Sequence, residues 1–115
     1  MIDFACKRFD LMEIIKCGLG LTKAELKIMN FFLDNLSKDF TTTNLSKTLK
    51  FNLTTVQKAV KKLYEKKIII RHQKNLGPGG YLYVYECNSK MNIRKIIKEI
   101  IRNLSKKVEE KIDRL

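Results

Sequence analysis

Apolar side chains recur every three or four residues along most of the chain, and this spacing is typical of amphipathic helices. The apolar positions predict five helices, at residues 4–16, 22–35, 42–50, 54–66 and 91–115. Gly18 and Gly20 end the first helix. Thr22 and Glu25 have the spacing of a capping box, which marks the start of the second.

The helix at 54–66 is the most strongly patterned of the five. Its N-cap is either Thr54, which has a capping-box partner in Gln57, or Asn52. One narrow apolar face predicts burial of Val56, Ala59, Val60 and Leu63. The opposite face is polar and mostly cationic, with Thr54, Lys58, Lys61 and Glu65 at its centre and Thr55, Gln57 and Lys62 at its flanks.

After this helix the pattern changes to the two-residue alternation of strands. Segments at 68–73 and 81–87 flank a loop that holds three of the five glycines and the one proline, so the three together predict a β-hairpin. Tyr81, Tyr83 and Tyr85 fall on one face of the second strand. We expect them to pack on neighbouring helices, with base stacking as the alternative.

The order of these elements is that of a winged helix-turn-helix, a mainly α fold with a small β-hairpin wing, here followed by a long C-terminal helix. The length of 115 residues fits a single domain. We expect its core at about residues 20–88, with the helices at 4–16 and 91–115 left for dimerisation.

The C-terminal helix carries an apolar seam that continues beyond what a small domain can cover. About 25 helical residues span about 37 Å, and apolar residues recur along this length at coiled-coil spacing. Such a surplus predicts a homodimer. The residues predicted to form its interface are Ile97, Ile101, Leu104, Val108 and Ile112.

Charge is concentrated in the middle of the chain. The net charge is +12, and residues 41–75 contribute +8 of it, with Glu65 as their single acid. A merely solvated lysine face would carry glutamates four residues from its lysines for mutual support. In this segment only Glu65 appears, so we expect the segment to bind a polyanion. A helix with short hydroxyls, an amide and longer cations suits the major groove of DNA.

Residues 54–69 resemble the recognition helix and the following turn of winged-helix transcriptional regulators, above all small archaeal regulators similar to the MarR and TrmB families. Residues 21–25 and 80–85 are also similar. The resemblance implies a homodimer on double-stranded DNA, with the recognition helix in the major groove and the wing on the backbone or minor groove. The predicted DNA-binding residues are Thr43, Thr54, Thr55, Gln57, Lys58, Lys61, Lys62, Arg71, Lys74 and Asn75.

The family usually has glycine after the recognition helix, where this chain has Lys67. Either a left-handed cap carries a side chain here, at a cost of about 1 kcal/mol, or the helix ends differently. His72 is the one histidine of the chain, and no catalytic or metal-binding partner lies at a helical or hairpin spacing from it. Two interpretations of His72 are therefore open, a phosphate contact and an inert surface position.

No arrangement of residues predicts catalysis, a metal site or a cofactor. Cys6, Cys17 and Cys87 lack the C-x-x-C spacing of zinc ligands. No apolar run is long enough to span a membrane, and we expect a cytoplasmic protein. The alternatives are a winged-helix module for protein or RNA contacts within a larger complex, and a regulator switched by a small molecule or by thiol oxidation.

Overall fold

The computed structural model describes residues 2–3 and 8–115, with side chains described from Asp10 onward. Its elements are β1 (Ile2–Asp3), β2 (Arg8–Phe9), α1 (Leu11–Leu19), α2 (Lys23–Asp34), β3 (Asp39–Phe40), α3 (Thr42–Leu49), α4 (Leu53–Glu65), β4 (Ile69–Asn75), β5 (Tyr81–Cys87) and α5 (Lys90–Asp113). Helices α2 to α4 and strands β3 to β5 form a winged helix-turn-helix, and the long α5 packs on α1. The predicted fold class is confirmed.

The first helix begins later than the sequence pattern predicted. Strand β2 pairs antiparallel with β1, and residues 4–7 lie outside the described part of the chain. Asp10 is extended, and its carboxylate accepts a hydrogen bond from the Met12 amide at 2.9 Å, so it is the N-cap. The predicted start at residue 4 is therefore wrong. The predicted apolar contacts of Phe4 and Phe9 lie outside the described side chains.

Capping boxes begin α2 and α3. The Thr22 hydroxyl accepts from the Glu25 amide at 3.2 Å, and the Glu25 carboxylate accepts from the Thr22 amide at 2.8 Å, as the spacing predicted. Thr41 and Asn44 form the same reciprocal pair before α3. The third helix therefore begins at Thr42, its predicted start.

The structure decides the caps that the sequence left open. Asn52 is the N-cap of α4 because its side chain accepts from the Thr55 amide at 2.9 Å, so Thr54 lies inside the helix. Ser89 caps α5 in the same way by accepting from the Asn92 amide. The turn between α3 and α4 thus has three residues, 50–52.

The core lies between α2, α3, α4 and the base of the wing. Its fully buried apolar side chains include Ile28, Phe32, Leu45, Val56, Ala59, Val60, Leu63, Ile68 and Ile69. The four predicted inward positions of α4 are at most 1% exposed. Since burial of one large apolar side chain contributes about 1.5–3 kcal/mol, this face anchors α4 to the domain and leaves the other face to solvent.

The wing is part of a three-stranded antiparallel sheet of order β3-β5-β4. The predicted extended segment after α2 is the short strand β3. The β4–β5 register pairs Arg71 with Tyr85, Gln73 with Tyr83 and Asn75 with Tyr81. Partners opposite each other lie on the same face of a sheet, so these six side chains share one face and His72 and Lys74 lie on the other. The connecting loop contains a short 3-10 turn at Gly77–Gly79.

Helix α4 ends in a left-handed cap at a non-glycine residue. Lys67 has φ 65°, and its amide donates to the Tyr64 carbonyl at 3.0 Å. The Ile68 amide donates to the Leu63 carbonyl at 3.0 Å, which completes a Schellman motif. The first of the two predicted endings, with a side chain in the left-handed cap, is confirmed.

Gly18 allows α1 and α5 to approach closely. The helix continues through this residue and ends at Gly20, which has φ 66°. A Cβ atom on Gly18 would overlap Cγ2 of Ile100 and would lie 3.3 Å from Leu104. Ile100 is β-branched and cannot move aside freely in a helix. The crossing of the two helices therefore requires glycine at position 18.

Replacing Lys67 with Gly should raise the free energy of unfolding by about 1 kcal/mol, because glycine adopts positive φ without a steric cost. Lys66→Gly is the matched control, since it removes the same side chain one residue earlier at φ −82°. That change should lower stability by about 0.5–1 kcal/mol. Denaturant unfolding measures both. Equal losses in the two variants would contradict the cap.

Candidate nucleic-acid interface

Helix α4 presents its polar face to solvent. The exposed residues on this face include Thr54, Gln57, Lys58 and Lys61, whereas Thr55 is half-buried. Asn52 satisfies the Thr55 amide, and the buried apolar face fixes the rotation of the helix. The structure therefore holds one amide and two cations outward, on a helix whose first turn carries two hydroxyls.

Lys62 has a different position from the other lysines of α4. Its ammonium donates to the Glu25 carboxylate at 3.1 Å and to the Gly20 carbonyl. The Glu25 side chain is 11% exposed and that of Lys62 is 34% exposed. Lys62 was predicted to contact DNA, yet these bonds direct its ammonium to the junction of α1 and α2, so it acts within the domain.

Glu25 stays ionised at this junction although it is largely buried. Burial by itself would raise the pKa of its carboxyl. The hydrogen bonds from the Thr22 amide and from Lys62, the charge of Lys62 and the Thr22 hydroxyl outweigh burial, and the pKa lies below the ordinary value. The Glu25 carboxylate thus caps the start of α2 and also holds α4 in position through Lys62.

Arg71 connects the wing to α4. Its Cζ atom lies 4.5 Å from the ring centroid of Tyr64, on α4, and 4.2 Å from that of Tyr83, on β5. These are cation–π distances, so two aromatic rings from two different elements contact the guanidinium. Of the residues predicted to contact DNA from the wing, Arg71 is the one that this pair of rings fixes.

The other face of the wing carries its own carboxylates. His72 Nε2 lies 2.7 Å from Glu86, and Lys74 Nζ lies 3.5 Å from Asp39 on β3. Both pairs are exposed or partly exposed, and such ion pairs contribute little to stability. Because Lys74 and Arg71 lie on opposite faces, the structure separates two residues that the sequence pattern placed together.

A cleft of about 310 Å³ lies between α4 and the wing. Gln57, Lys61 and Tyr64 line it from α4, Arg71 and Tyr83 line it from the wing, and Thr42 lines it from α3. None of the described residues that line it carries a carboxylate. Predicted residues from two elements, Gln57 and Lys61 with Arg71, therefore meet at one place.

The remaining predicted residues do not line this cleft. Thr43 and Asn75 are both exposed, at the start of α3 and at the end of β4. Tyr64 was not predicted, and it lies at i+7 from Gln57 and i+3 from Lys61. That helical spacing could have placed it on the same face, but no local signal connects it to Arg71.

Helix α5 divides its apolar residues between two environments. Ile93 is buried, and Ile96, Ile97 and Ile100 pack on the core. Towards the C-terminus, Ile101 is 43% exposed, Val108 56% and Ile112 57%. The predicted dimer residue Ile97 thus contacts the chain's own core, whereas three of the other four face solvent in this single chain and Leu104 is half-buried.

The two described cysteines differ in environment. Cys17 is exposed and Cys87 is buried, while Cys6 lies outside the described residues. Burial, and then the charge of Glu86, raise the pKa of the Cys87 thiol, which disfavours the reactive thiolate. Within residues 10–115, no group of His, Cys, Asp and Glu side chains is placed to hold a metal ion.

The family model of the DnaD N-terminal domain matches residues 9–111. The chain belongs to this family. An uncharacterized protein of Methanocaldococcus jannaschii is 29% identical to this DnaD N-terminal domain over 114 residues, which are 96% of this chain and 85% of the relative. Similarity to the MarR and TrmB families in particular stays a prediction.

Solved structures confirm the winged-helix fold of this DnaD N-terminal domain. A protein from Methanosarcina mazei Go1, described as a possible transcriptional regulator, is 46% identical with a TM-score of 0.86, over 99% of this chain and 95% of that one. A Sulfolobus tokodaii protein is 21% identical with a TM-score of 0.67, over 84% and 92%. A mutant of S. aureus MepR, bound to an oligodeoxyribonucleotide, is 14% identical with a TM-score of 0.55, over 91% and 72%. The last two likenesses concern the fold alone.

Replacing Glu25 with Gln should lower the free energy of unfolding by about 1–2 kcal/mol at neutral pH, because it weakens the charge-assisted bond to Lys62. The pKa of Glu25 is lower in the folded chain than in the unfolded one. Its ionised form therefore stabilises the fold above about pH 4.3, and this contribution disappears as the pH falls through the folded pKa.

The difference between wild type and Glu25→Gln should accordingly close in acid, as denaturant unfolding over a pH series would show. Glu65→Gln is the control. It removes an exposed carboxylate of α4 and should change stability by less than about 0.5 kcal/mol. A stability difference that persists unchanged into strong acid would contradict the role of Glu25.

Proposed function

We propose that this protein is a sequence-specific DNA-binding transcriptional regulator that acts as a homodimer. One observation carries the proposal. The exposed face of α4, with Gln57, Lys58 and Lys61, adjoins a cleft whose described lining contains two cations and no carboxylate. In this arrangement α4 enters the major groove and the wing contacts the backbone or minor groove.

The chemistry of this face suits base edges and phosphates together. Gln57 can donate and accept in a bidentate contact with adenine, and Lys58 can donate to guanine. Lys61 and Arg71 lie further toward the wing, where phosphates follow the groove. Phosphate contacts supply affinity and base contacts supply specificity, so one helix and its wing meet both needs.

The relatives support the proposal at two levels. The Methanosarcina mazei protein, at 46% identity over almost the whole chain, is described as a possible transcriptional regulator. The MepR mutant was solved with an oligodeoxyribonucleotide, and it shares this fold. We further infer a single cytoplasmic domain without enzymatic activity, with a winged-helix core at about residues 20–88.

The second subunit would bind along α5. Ile101, Val108 and Ile112 leave an apolar stripe exposed on a helix of 24 residues, about 36 Å long. A stripe of this kind is costly to leave in water, and a second copy of the helix is its natural partner. Two α4 helices would then contact successive half-sites of a pseudo-palindromic duplex.

Duplex selection from a random pool, followed by binding at several salt concentrations, tests the function. A dimer that neutralises about eight phosphates should give a slope of log K against log salt near −7, since each phosphate contributes about 0.9. A slope near zero would remove the electrostatic basis of the proposal.

Substitutions on α4 and on the wing should impair DNA binding in different ways. Gln57→Ala or Lys58→Ala should weaken binding to the selected site by about 1–3 kcal/mol more than binding to random DNA, because base contacts carry sequence information. Lys74→Ala should weaken both equally and lower the salt slope. Lys98→Ala, an equal loss of charge on α5, is the control and should preserve the sequence preference.

If the α4 variants keep the full preference while the wing variant loses it, the assignment of the two elements is inverted. If no variant changes binding, the basic face only meets solvent. The alternative function, a winged-helix module for protein or RNA contacts in a larger complex, then takes precedence.

Charged residues in place of Leu104 and Val108 should yield a monomer, because an ion on this stripe cannot be buried against a second copy without a large desolvation cost. Sedimentation or light scattering measures the mass. Lys106→Glu with Lys107→Glu is a control with two changed residues beside the stripe. A double variant of Leu104 and Val108 with the wild-type mass would show that the stripe does not form the interface.

A further inference from the structure

We propose that the cleft between α4 and the wing binds one phosphodiester of the DNA backbone, and that Tyr64 and Tyr83 are positioning residues that hold Arg71 in place beside it. The inference rests on the proposed function and assigns a binding place within it. Three elements contribute, since Tyr64 lies on α4, Arg71 on β4 and Tyr83 on β5.

The geometry of Arg71 favours an anion as its ligand. Its Cζ atom lies over the rings of Tyr64 and Tyr83, at 4.5 Å and 4.2 Å from their centroids. The five N–H donors of the guanidinium form a planar fork that matches the oxygens of a phosphate. Stacking also restricts the rotamers of a long side chain, which reduces the entropy cost of binding a ligand.

The charges around the cleft also favour an anion. Lys61 lines the same cleft and adds a second cation, and Gln57 and Thr42 add neutral donors. On the opposite face of the wing, His72 and Lys74 each lie beside a carboxylate, whereas no described residue lining the cleft carries one. The cleft is therefore the side of the wing where an anion is attracted without competition from an internal carboxylate.

The aromatic rings at the cleft favour a phosphate over a nucleobase as its ligand. One face of the Tyr83 ring is taken by Arg71, and the Tyr81 ring meets Tyr83 edge-on at a centroid distance of 5.2 Å. Tyr64 also directs a ring face at Arg71. These ring faces thus contact the guanidinium instead of a stacked base. The two cations of the cleft and its neutral donors suit a tetrahedral anion.

The test measures duplex binding against salt for three variants of the full chain. Arg71→Ala removes the charge and should lower the salt slope by about 0.9 for each phosphate that the variant no longer neutralises. Tyr64→Leu leaves the charge but frees the guanidinium, so affinity should fall about two- to fivefold for each protomer while the slope stays unchanged. Tyr64→Phe keeps the ring and should bind like wild type.

A second measurement needs no DNA. In the free protein, the Arg71 Nε–H resonance should show ring-current shifts that Tyr64→Phe retains and Tyr64→Leu reduces. Tyr83→Leu supplies the same comparison if Tyr64→Leu fails to fold, as thermal unfolding by circular dichroism would show.

Wild-type binding by Tyr64→Leu, or an equal loss of affinity in Tyr64→Phe, would overturn the positioning role. An unchanged salt slope in Arg71→Ala would overturn the phosphate site. These failures differ from failure of the proposed function, in which the wild-type chain itself would not bind duplex DNA in a salt-dependent way.

Discussion

One partly buried ion pair joins α4 to α2 beside the buried apolar face of α4. Glu25 caps α2 through the Thr22 amide at 2.8 Å and accepts from Lys62 of α4 at 3.1 Å. Lys62 also donates to the Gly20 carbonyl, where α1 ends. Three helices thus meet at one carboxylate, and α4 cannot rotate about its axis without breaking this junction. The outward direction of Lys58 and Lys61 follows from the buried apolar face on the other side of α4, and the contact of Lys62 on the flank adds to it.

This junction also shows how far local pattern determines structure. The capping box of Thr22 and Glu25 depends on residues three apart, and the sequence predicted it. Lys61 and Lys62 are adjacent and chemically identical, yet one faces solvent and the other is half-buried with its ammonium on Glu25. Their difference comes from a rotation of about 100° and from a partner 37 residues earlier. Periodicity placed Lys62 on a flank but could not identify that partner.

The fold was predictable because its signals are short-range, and parts of the site were not because their contacts join distant elements. Apolar spacing, helix caps and a glycine-rich turn are short-range signals, and they located α2 to α5 and both strands of the wing. The error at the start of the first helix arose because apolar spacing outweighed a single capping residue, Asp10. The contact of Arg71 with Tyr64 and Tyr83 joins three elements, so neither spacing nor charge in the sequence pointed to it.

The two halves of α5 give the proposed dimer a mechanical consequence. Near its start the helix is fixed to its own domain, because Ile93 is buried and Ile100 packs where Gly18 has no side chain. Beyond Leu104 the apolar residues are exposed, and the molecule extends 62 Å along its longest axis against 26 and 24 Å across. A partner bound to the exposed half would therefore be joined rigidly to the domain through a continuous helix. The separation of the two α4 helices, and with it the spacing of the half-sites, would be set by the crossing of α5 with its copy. A flexible linker would allow many half-site spacings, whereas a rigid helix would restrict the dimer to one.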